Sequence, residues 1–72
     1  MNVRIQLPAK WVKYLVHQPE SGMGYQIVDV VLEDGTTVRD CVVFNAEEME
    51  IPDVHAGKGI KEMRLRTTRN GI

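Results

Sequence analysis

The side chains that could perform chemistry are few, and they are scattered along the chain. Ser21 is the only serine, and it lacks the flanking glycines of a nucleophile elbow. Cys41 is the only cysteine, and it begins an apolar run, which is typical of a small buried side chain. His17 and His55 are far apart, and neither has a second ligand at metal-binding spacing. We therefore expect no catalytic residues, no metal site and no cofactor, and we predict that the protein is not an enzyme.

The sharpest local feature is a loop in which Gly22 and Gly24 flank Met23. Three interpretations of this loop remain open. Its backbone N–H groups can cradle an anion, or it is a turn in which Met23 packs on Trp11 or Tyr25. In the third interpretation Met23 is an exposed contact for a partner, because methionine adapts to varied surfaces. We keep Met23 as a candidate partner contact.

A second candidate site is the basic C-terminal segment, where alternating apolar residues predict a strand over residues 60–67. The two arginines inside this strand project from the same outer face. A row of cations can neutralise the phosphates of RNA. The alternative is that the arginines form ion pairs with the glutamate cluster at residues 47–50. The candidate contacts for RNA or for a protein partner are Lys61, Arg64, Arg66 and Arg69.

These candidates must be positioned by a β-rich framework, whose clearest element is a hairpin. Two runs rich in β-branched residues, Tyr25–Leu32 and residues 36–44, flank the turn sequence Glu-Asp-Gly at residues 33–35. An Asp-Gly pair between two such runs is a strong hairpin signal. Gly35 suits the left-handed position that ends a three-residue loop. The segment therefore predicts a hairpin that takes up over a quarter of the chain.

The register of this hairpin follows from its charges. A two-residue loop would place Asp29 opposite Asp40, and like charges directly opposed are unfavourable. A three-residue loop instead places Asp29 opposite Arg39, so we predict that register. The other predicted pairs are Leu32–Thr36, Val31–Thr37, Val30–Val38, Val28–Asp40 and Ile27–Cys41.

The predicted register gathers apolar side chains on one face of the hairpin. Asp40 is the misfit on that face, so it must lie near an edge or find a hydrogen-bond donor. The residues that we expect to form the apolar face are Val28, Val30, Leu32, Val38, Val42 and Phe44.

Shorter elements flank the hairpin. Alternation predicts a strand over residues 2–7. Apolar residues at helical spacing favour a short helix over residues 9–17, which Pro19 ends, although a strand with two mixed faces is the alternative. A pattern that resembles a capping box predicts one helical turn or a tight turn at residues 45–48. A short strand over residues 49–51 follows.

Composition bounds the class of protein. The chain has 72 residues and a net charge of −1, which is enough for one domain with a small core. A single cysteine excludes an internal disulfide and fits a reducing cytoplasm. No run of residues is apolar enough for a signal peptide or a membrane span. An acidic centre between basic ends is typical of a nucleic-acid surface, of a self-complementary surface or of an ordinary solvated exterior. We expect a cytoplasmic protein, and oligomerisation is one way for it to complete its small core.

Part of the chain is similar to a known family. The matching residues are the run VLEDGTTV at residues 31–38, then Val42, Phe44, Asn45, Met49 and Ile51. Together they resemble the first motif of Sm-like RNA-binding proteins. The resemblance implies a short N-terminal helix followed by a five-stranded barrel. It also implies assembly into rings that bind single-stranded RNA.

We predict a mainly β protein that forms a small single domain over residues 1–72. Its expected form is a curved antiparallel sheet or an SH3-like barrel of four or five short strands, with one short N-terminal helix. The expected function is a non-enzymatic interaction module whose partner is another protein or a second copy of the chain. Binding of single-stranded RNA by the basic C-terminal strand is the alternative.

Overall fold

The computed structural model describes residues 1–19 and 22–66. Its elements are β1 (Asn2–Gln6), α1 (Ala9–Leu15), β2 (Tyr25–Leu32), β3 (Thr37–Phe44), β4 (Glu48–Pro52), a 3-10 turn (Asp53–His55) and β5 (Ile60–Leu65). The strands form one antiparallel sheet in the order β1-β4-β3-β2-β5, so β1 and β5 are its edges. The mainly β prediction is confirmed, and of its two expected forms the chain adopts the open sheet.

The hydrophobic core lies between one face of the sheet and helix α1. Alternate residues of β2 are buried, as expected for a strand with one face on the core. The helix contributes Leu15, which is 1% exposed, while Trp11 and Val12 pack at the margin of the core. The buried apolar side chains are Leu7, Leu15, Val28, Val30, Leu32, Cys41, Val43, Ala46, Met49, Ile51 and Met63.

The helix predicted over residues 9–17 is confirmed as a helix, but it ends at Leu15 with Val16 as its cap. Beyond Val16 the backbone hydrogen bonds span three residues and not four: the N–H of His17 donates to the Tyr14 carbonyl at 3.4 Å. The helix therefore ends before the proline that was expected to stop it.

The predicted three-residue turn of the β2–β3 hairpin is confirmed. The N–H of Leu32 donates to the Thr36 carbonyl at 2.8 Å, and the N–H of Gly35 donates to the Leu32 carbonyl at 2.9 Å. Gly35 has a φ of +90°, where a residue with a Cβ would be strained. The Asp34 carboxylate accepts a hydrogen bond from the N–H of Thr36 at 3.0 Å and further stabilises the turn.

The predicted register holds only on the turn side of the hairpin. Val30 lies opposite Val38 and Val31 lies opposite Thr37, as expected. A β-bulge then shifts the register between Val28 and Val30. The pairs beyond it are Val28–Cys41, Ile27–Val42, Gln26–Val43 and Tyr25–Phe44, so the predicted pairs Val28–Asp40 and Ile27–Cys41 are wrong.

The bulge replaces the predicted pairing of Asp29 with Arg39. Asp40 adopts a φ of 59°, and its N–H donates to the Asp29 carboxylate at 3.0 Å. Aspartate tolerates this left-handed conformation better than most residues. The misfit residue thus leaves the apolar face by a change of backbone conformation.

The bulge also exchanges the two faces of β3. Because one extra residue turns every later side chain to the opposite face, Cys41 and Val43 are buried in the core. Val42 and Phe44, which were predicted to face the core, are only half-buried on the other side.

The capping-box prediction at residues 45–48 is wrong in its helical form, and the tight-turn alternative is confirmed. Asn45 and Ala46 have φ values of 53° and 60°, and the N–H of Glu47 donates to the Phe44 carbonyl at 3.0 Å. The other predicted strands are confirmed with small changes at their ends. Of the strand predicted over residues 60–67, residue 67 lies outside the described residues. Within the described residues, no helix is long and apolar enough to cross a membrane.

Candidate interaction site

The loop before β2 forms a tight turn that presents Met23 at its tip. The N–H of Gly22 donates to the Tyr25 carbonyl at 3.3 Å, and the N–H of Tyr25 donates to the Gly22 carbonyl at 3.4 Å. Gly24 has a φ of +80°, which glycine adopts without strain. The side chain of Met23 is 98% exposed.

These contacts can be compared with each of the three interpretations of the loop. The Met23 side chain does not pack on Trp11 or Tyr25, because it is almost wholly exposed. The close approach that glycine permits at position 22 is to the Tyr25 ring, which a Cβ there would overlap. The N–H groups of Gly22 and Tyr25 are bonded within the turn, which disfavours an anion cradle. Met23 is thus exposed, as the third interpretation requires, and its contact with a partner stays a prediction.

A cavity of about 370 Å³ lies directly beside this turn. Its floor includes the buried side chains of Leu15 and Ala46, and its rim includes Val16 and Tyr25, which are 58% and 38% exposed. We call Met23, Tyr25 and Val16, together with this cavity, the Met23 surface. It combines an exposed apolar tip with a partly apolar recess.

The Met23 surface is anchored to the next hairpin turn. The N–H of Asn45 donates to the Gly24 carbonyl at 2.9 Å, so the turn at Asn45 and Ala46 holds the β2 turn from one side. Asn45 also lines the cavity. The backbone that carries Met23 is therefore tied to the sheet at both of its flanks.

The floor of the cavity rests on one buried polar side chain, Gln26, which is 2% exposed. Its amide Nε2 contacts three carbonyl oxygens at the end of α1, those of Leu15, Gln18 and Pro19, at 3.0, 3.2 and 3.3 Å. The Leu15 carbonyl also accepts from the N–H of Gln18 at 3.0 Å, so Gln26 adds a second donor there. Gln26 thus joins the end of α1 and the residues that follow it to β2.

Sequence reasoning missed Gln26, although a signal was present. The residue precedes Val28 and Val30 at a spacing of two, so alternation alone places its side chain on the inner face. A glutamine at an inner position must find partners, and carbonyls at and just beyond the end of α1 supply them.

The second candidate site, the basic strand, is partly neutralised by the fold. The guanidinium of Arg66 contacts the Asp29 carboxylate at 3.1 Å and the Asp40 carboxylate at 3.1 Å. Arg64 lies 3.8 Å from Glu62 and is largely exposed. Within the chain, Arg64 and Arg66 thus pair with Glu62, Asp29 and Asp40 and not with the glutamates of residues 47–50, and pairing with those glutamates of a neighbouring subunit stays a prediction.

In the Asp29–Arg66–Asp40 cluster, as we call it, two carboxylates contact one guanidinium. The N–H of Asp40 and then the Arg66 guanidinium hold the pKa of the Asp29 carboxyl below its ordinary value, against the opposing effect of burial. The two carboxylates raise the pKa of Arg66, with Asp29 as the larger cause. Arg66 therefore has little charge available for a ligand.

The remaining predicted cations of the second candidate site are Lys61 and Arg69. Lys61 is exposed at the start of β5, and Arg69 lies outside the described residues. A shallow depression of about 320 Å³ on the outer face is lined by Asp29, Val31, Thr37, Arg39 and Arg64. The strand thus does not assemble its predicted row of free cations among the described residues.

The potentially reactive groups do not form a site in the described part of the chain. Cys41 is buried, and burial, reinforced by Asp29 and Asp40, raises the pKa of its thiol to about 11. The Nδ1 atom of His55 is buried and has no hydrogen-bond partner among the described residues. No three His, Cys, Asp or Glu side chains of residues 1–19 and 22–66 are grouped as metal ligands.

No protein-family model, curated protein sequence or solved structure matches the chain. The similarity to Sm-like proteins stays a resemblance. A short helix and five strands are present, but β1 precedes the helix and the sheet is open between β1 and β5.

Proposed function

We propose that this protein is a non-enzymatic interaction module that binds another protein through the Met23 surface. The observation that carries the proposal is the 98% exposure of Met23 at the tip of a turn that the fold holds in place. A single exposed apolar residue is common, but this one lies beside a recess whose lining is partly apolar. A protruding side chain next to a pocket is an arrangement that partner proteins use.

The chemistry of the Met23 surface suits a protein partner. Methionine is flexible and polarisable, so it fits irregular apolar surfaces. Tyr25 adds an aromatic ring with a polar tip, a combination that is enriched at protein interfaces. Because the supporting backbone is already hydrogen-bonded, little conformational entropy would be lost when a partner binds.

Affinity purification from the native cell with matched variants tests this proposal. We expect wild-type protein to retain a partner that survives nuclease treatment, and Met23→Asp to lose it. Val54→Asp is the control, because Val54 is an apolar residue with 73% exposure that does not line the cavity. Equal retention by both variants would contradict the proposal.

The alternative function is binding of single-stranded RNA through the basic strand. What favours it is the exposure of Arg64, which lines the outer depression together with Arg39. Replacing Arg64 and Arg66 with alanine would then weaken RNA binding almost uniformly across sequences and lower its dependence on salt. Titration with mixed single-stranded RNA at low salt decides this, and we expect no binding because Arg66 is held by two carboxylates.

The proposal includes a reducing, cytoplasmic setting. It rests on the single cysteine, which is buried as a thiol in the core. Fractionation of the native cell checks the location, and recovery in an oxidising compartment would contradict it.

A further inference from the structure

The two edges of the sheet, β1 and β5, each leave one row of backbone groups unpaired by another described strand. On β5 the row can be assigned. The N–H of Arg66 donates to the Ile27 carbonyl at 2.8 Å, and the antiparallel register continues through Asp29–Arg64 and Val31–Glu62. Because bonding alternates along an antiparallel strand, the backbone groups of Met63 and Leu65 point away from β2.

The segment of β5 that follows Lys61 is a regular edge. A register shift between Val31 and Leu32 places a bulge at Lys61, and the pairing is even from Glu62 onward. Bulges and lysines are devices that protect sheet edges, and here both lie at the start of the strand. The rest of the strand up to Leu65 contains no proline and carries two opposite charges, at Glu62 and Arg64.

These charges are arranged to complement a second copy of the same strand. In a symmetric antiparallel pair whose two-fold axis passes through Met63, Glu62 of each copy lies directly opposite Arg64 of the other. Met63 lies opposite itself and exchanges both backbone hydrogen bonds, as its outward groups require. The outer face of the pair then carries four charges of alternating sign.

Other symmetric registers of β5 lack this complementarity. An axis through Glu62 or through Arg64 places that residue opposite its own copy, and an axis through Leu65 places Arg64 opposite Arg66. Like charges directly opposed destabilise a strand pair. The charges of β5 therefore select the register centred on Met63.

The inner face supports the same arrangement. Met63 is 7% exposed at the margin of the core, and Leu65 packs against the core while remaining partly exposed. A second copy of β5 would pack Met63 against its counterpart and so extend the apolar contact across the pair, while Leu65 would lie opposite Lys61. A core this small gains from such an extension.

The other edge, β1, lacks a self-complementary pattern. Its only charge is Arg4, which stacks 4.2 Å from the centre of the Phe44 ring and lies 3.5 Å from the Glu48 carboxylate. The N–H of Leu7 donates to the Glu47 carbonyl, so the backbone groups of Arg4 point outward. Antiparallel pairing of β1 with β5 would therefore place Arg4 opposite Met63 or Leu65, never opposite an acidic residue.

We propose that the chain forms a two-fold symmetric dimer in which the β5 strands of two copies pair about Met63 and join their sheets into one ten-stranded sheet. The contact is separate from the Met23 surface, so it is independent of the proposed partner. Exposed ion pairs add little affinity, and the role of Glu62 and Arg64 is to set the register.

Charge reversal with mixing tests this dimer. Wild-type protein should sediment as a dimer at micromolar concentration. Glu62→Arg alone and Arg64→Glu alone place like charges opposite each other at two symmetric positions, and each should weaken self-association by about tenfold or more. An equimolar mixture of the two variants should restore the dimer, because each cation of one chain then faces an anion of the other.

The mixing step separates the interface from folding. Repulsion between residues 62 and 64 within each chain persists in the mixture, so recovery reports only the contact between copies. Circular dichroism confirms that each variant is folded, and Arg4→Glu serves as the control for the β1 edge. A wild-type monomer at every salt and concentration tested would overturn the proposal. So would a mixture that fails to recover, or a dimer that only Arg4→Glu breaks.

Discussion

The Met23 surface and the Asp29–Arg66–Asp40 cluster differ in whether their side chains have partners within the fold. In the cluster, three charged side chains from β2, the bulge of β3 and the end of β5 satisfy one another at about 3.1 Å. At the Met23 surface, polar groups of the backbone are satisfied but the apolar side chain is left in water. The comparison indicates that charged residues here stabilise the fold, whereas an apolar residue is available to a partner.

The largest expected effect concerns the support of the Met23 surface. Gln26→Ala removes a buried amide that donates to the carbonyls of Leu15, Gln18 and Pro19, and it should lower the free energy of unfolding by about 2 kcal/mol. Gln6→Ala is the matched control, because Gln6 also donates to a backbone carbonyl, that of Glu47 at 3.1 Å, but in an exposed position. Urea denaturation measures both, and equal losses would show that Gln26 is not the support.

The cluster should respond to acid. The folded-state pKa of Asp29 is lowered, so its contribution is present above the ordinary pKa of about 4 and is lost as the pH falls through the lower folded-state value. Asp29→Asn should cost about 1–2 kcal/mol at neutral pH and flatten the loss of stability below pH about 4. Asp53→Asn, at an exposed carboxyl, is the control. An unchanged acid profile for Asp29→Asn would contradict the role of the cluster.

Local signals predicted the turn and the strands, but not the cluster. Gly35 acts through its own backbone, so the Asp-Gly pair was enough to predict its left-handed conformation. The bulge at Asp40 depends on the Asp29 carboxylate and on Arg66, which is distant along the chain. Charge pairing alone predicted Arg39 as the partner of Asp29, because that argument assumed strand pairing without a bulge.

The candidate sites, like the fold, were predicted only in part from the sequence. Sequence patterns singled out Met23 and the arginines of β5, but they left the exposure of Met23 and the partners of Arg66 open. Both depend on tertiary packing: the turn at Asn45 braces the loop that presents Met23, and the bulge brings Asp40 to Arg66. Gln26 was missed because its partners lie at the end of a separate element, α1.

Gly35 lies in neither of the two compared regions. Its replacement therefore measures how much stability is lost through a purely local change of the backbone. Gly35→Ala should cost about 1 kcal/mol, because a Cβ is disfavoured at a φ of +90° although the surrounding space is open. Gly57→Ala, also in open space but without a left-handed backbone, should be close to neutral. Thermal unfolding of both variants measures the difference, and an equal effect at the two positions would refute the backbone argument.

The smallest expected effect on stability is at Met23 itself. Met23→Ser removes no buried contact, so the free energy of unfolding should change by less than about 0.5 kcal/mol. A larger loss in chemical denaturation would mean that Met23 serves the fold, and the contrast between the two regions would fail.

Photo-crosslinking from position 23 tests the central claim most directly. A photoreactive residue replaces Met23 in one variant and the exposed Val54 in another, and the proteins are irradiated in the native cell. We expect a discrete protein adduct from position 23, unchanged by nuclease, that position 54 does not give. No adduct from position 23, the same adduct from both positions, or an adduct to nucleic acid would contradict a protein-binding role for the Met23 surface.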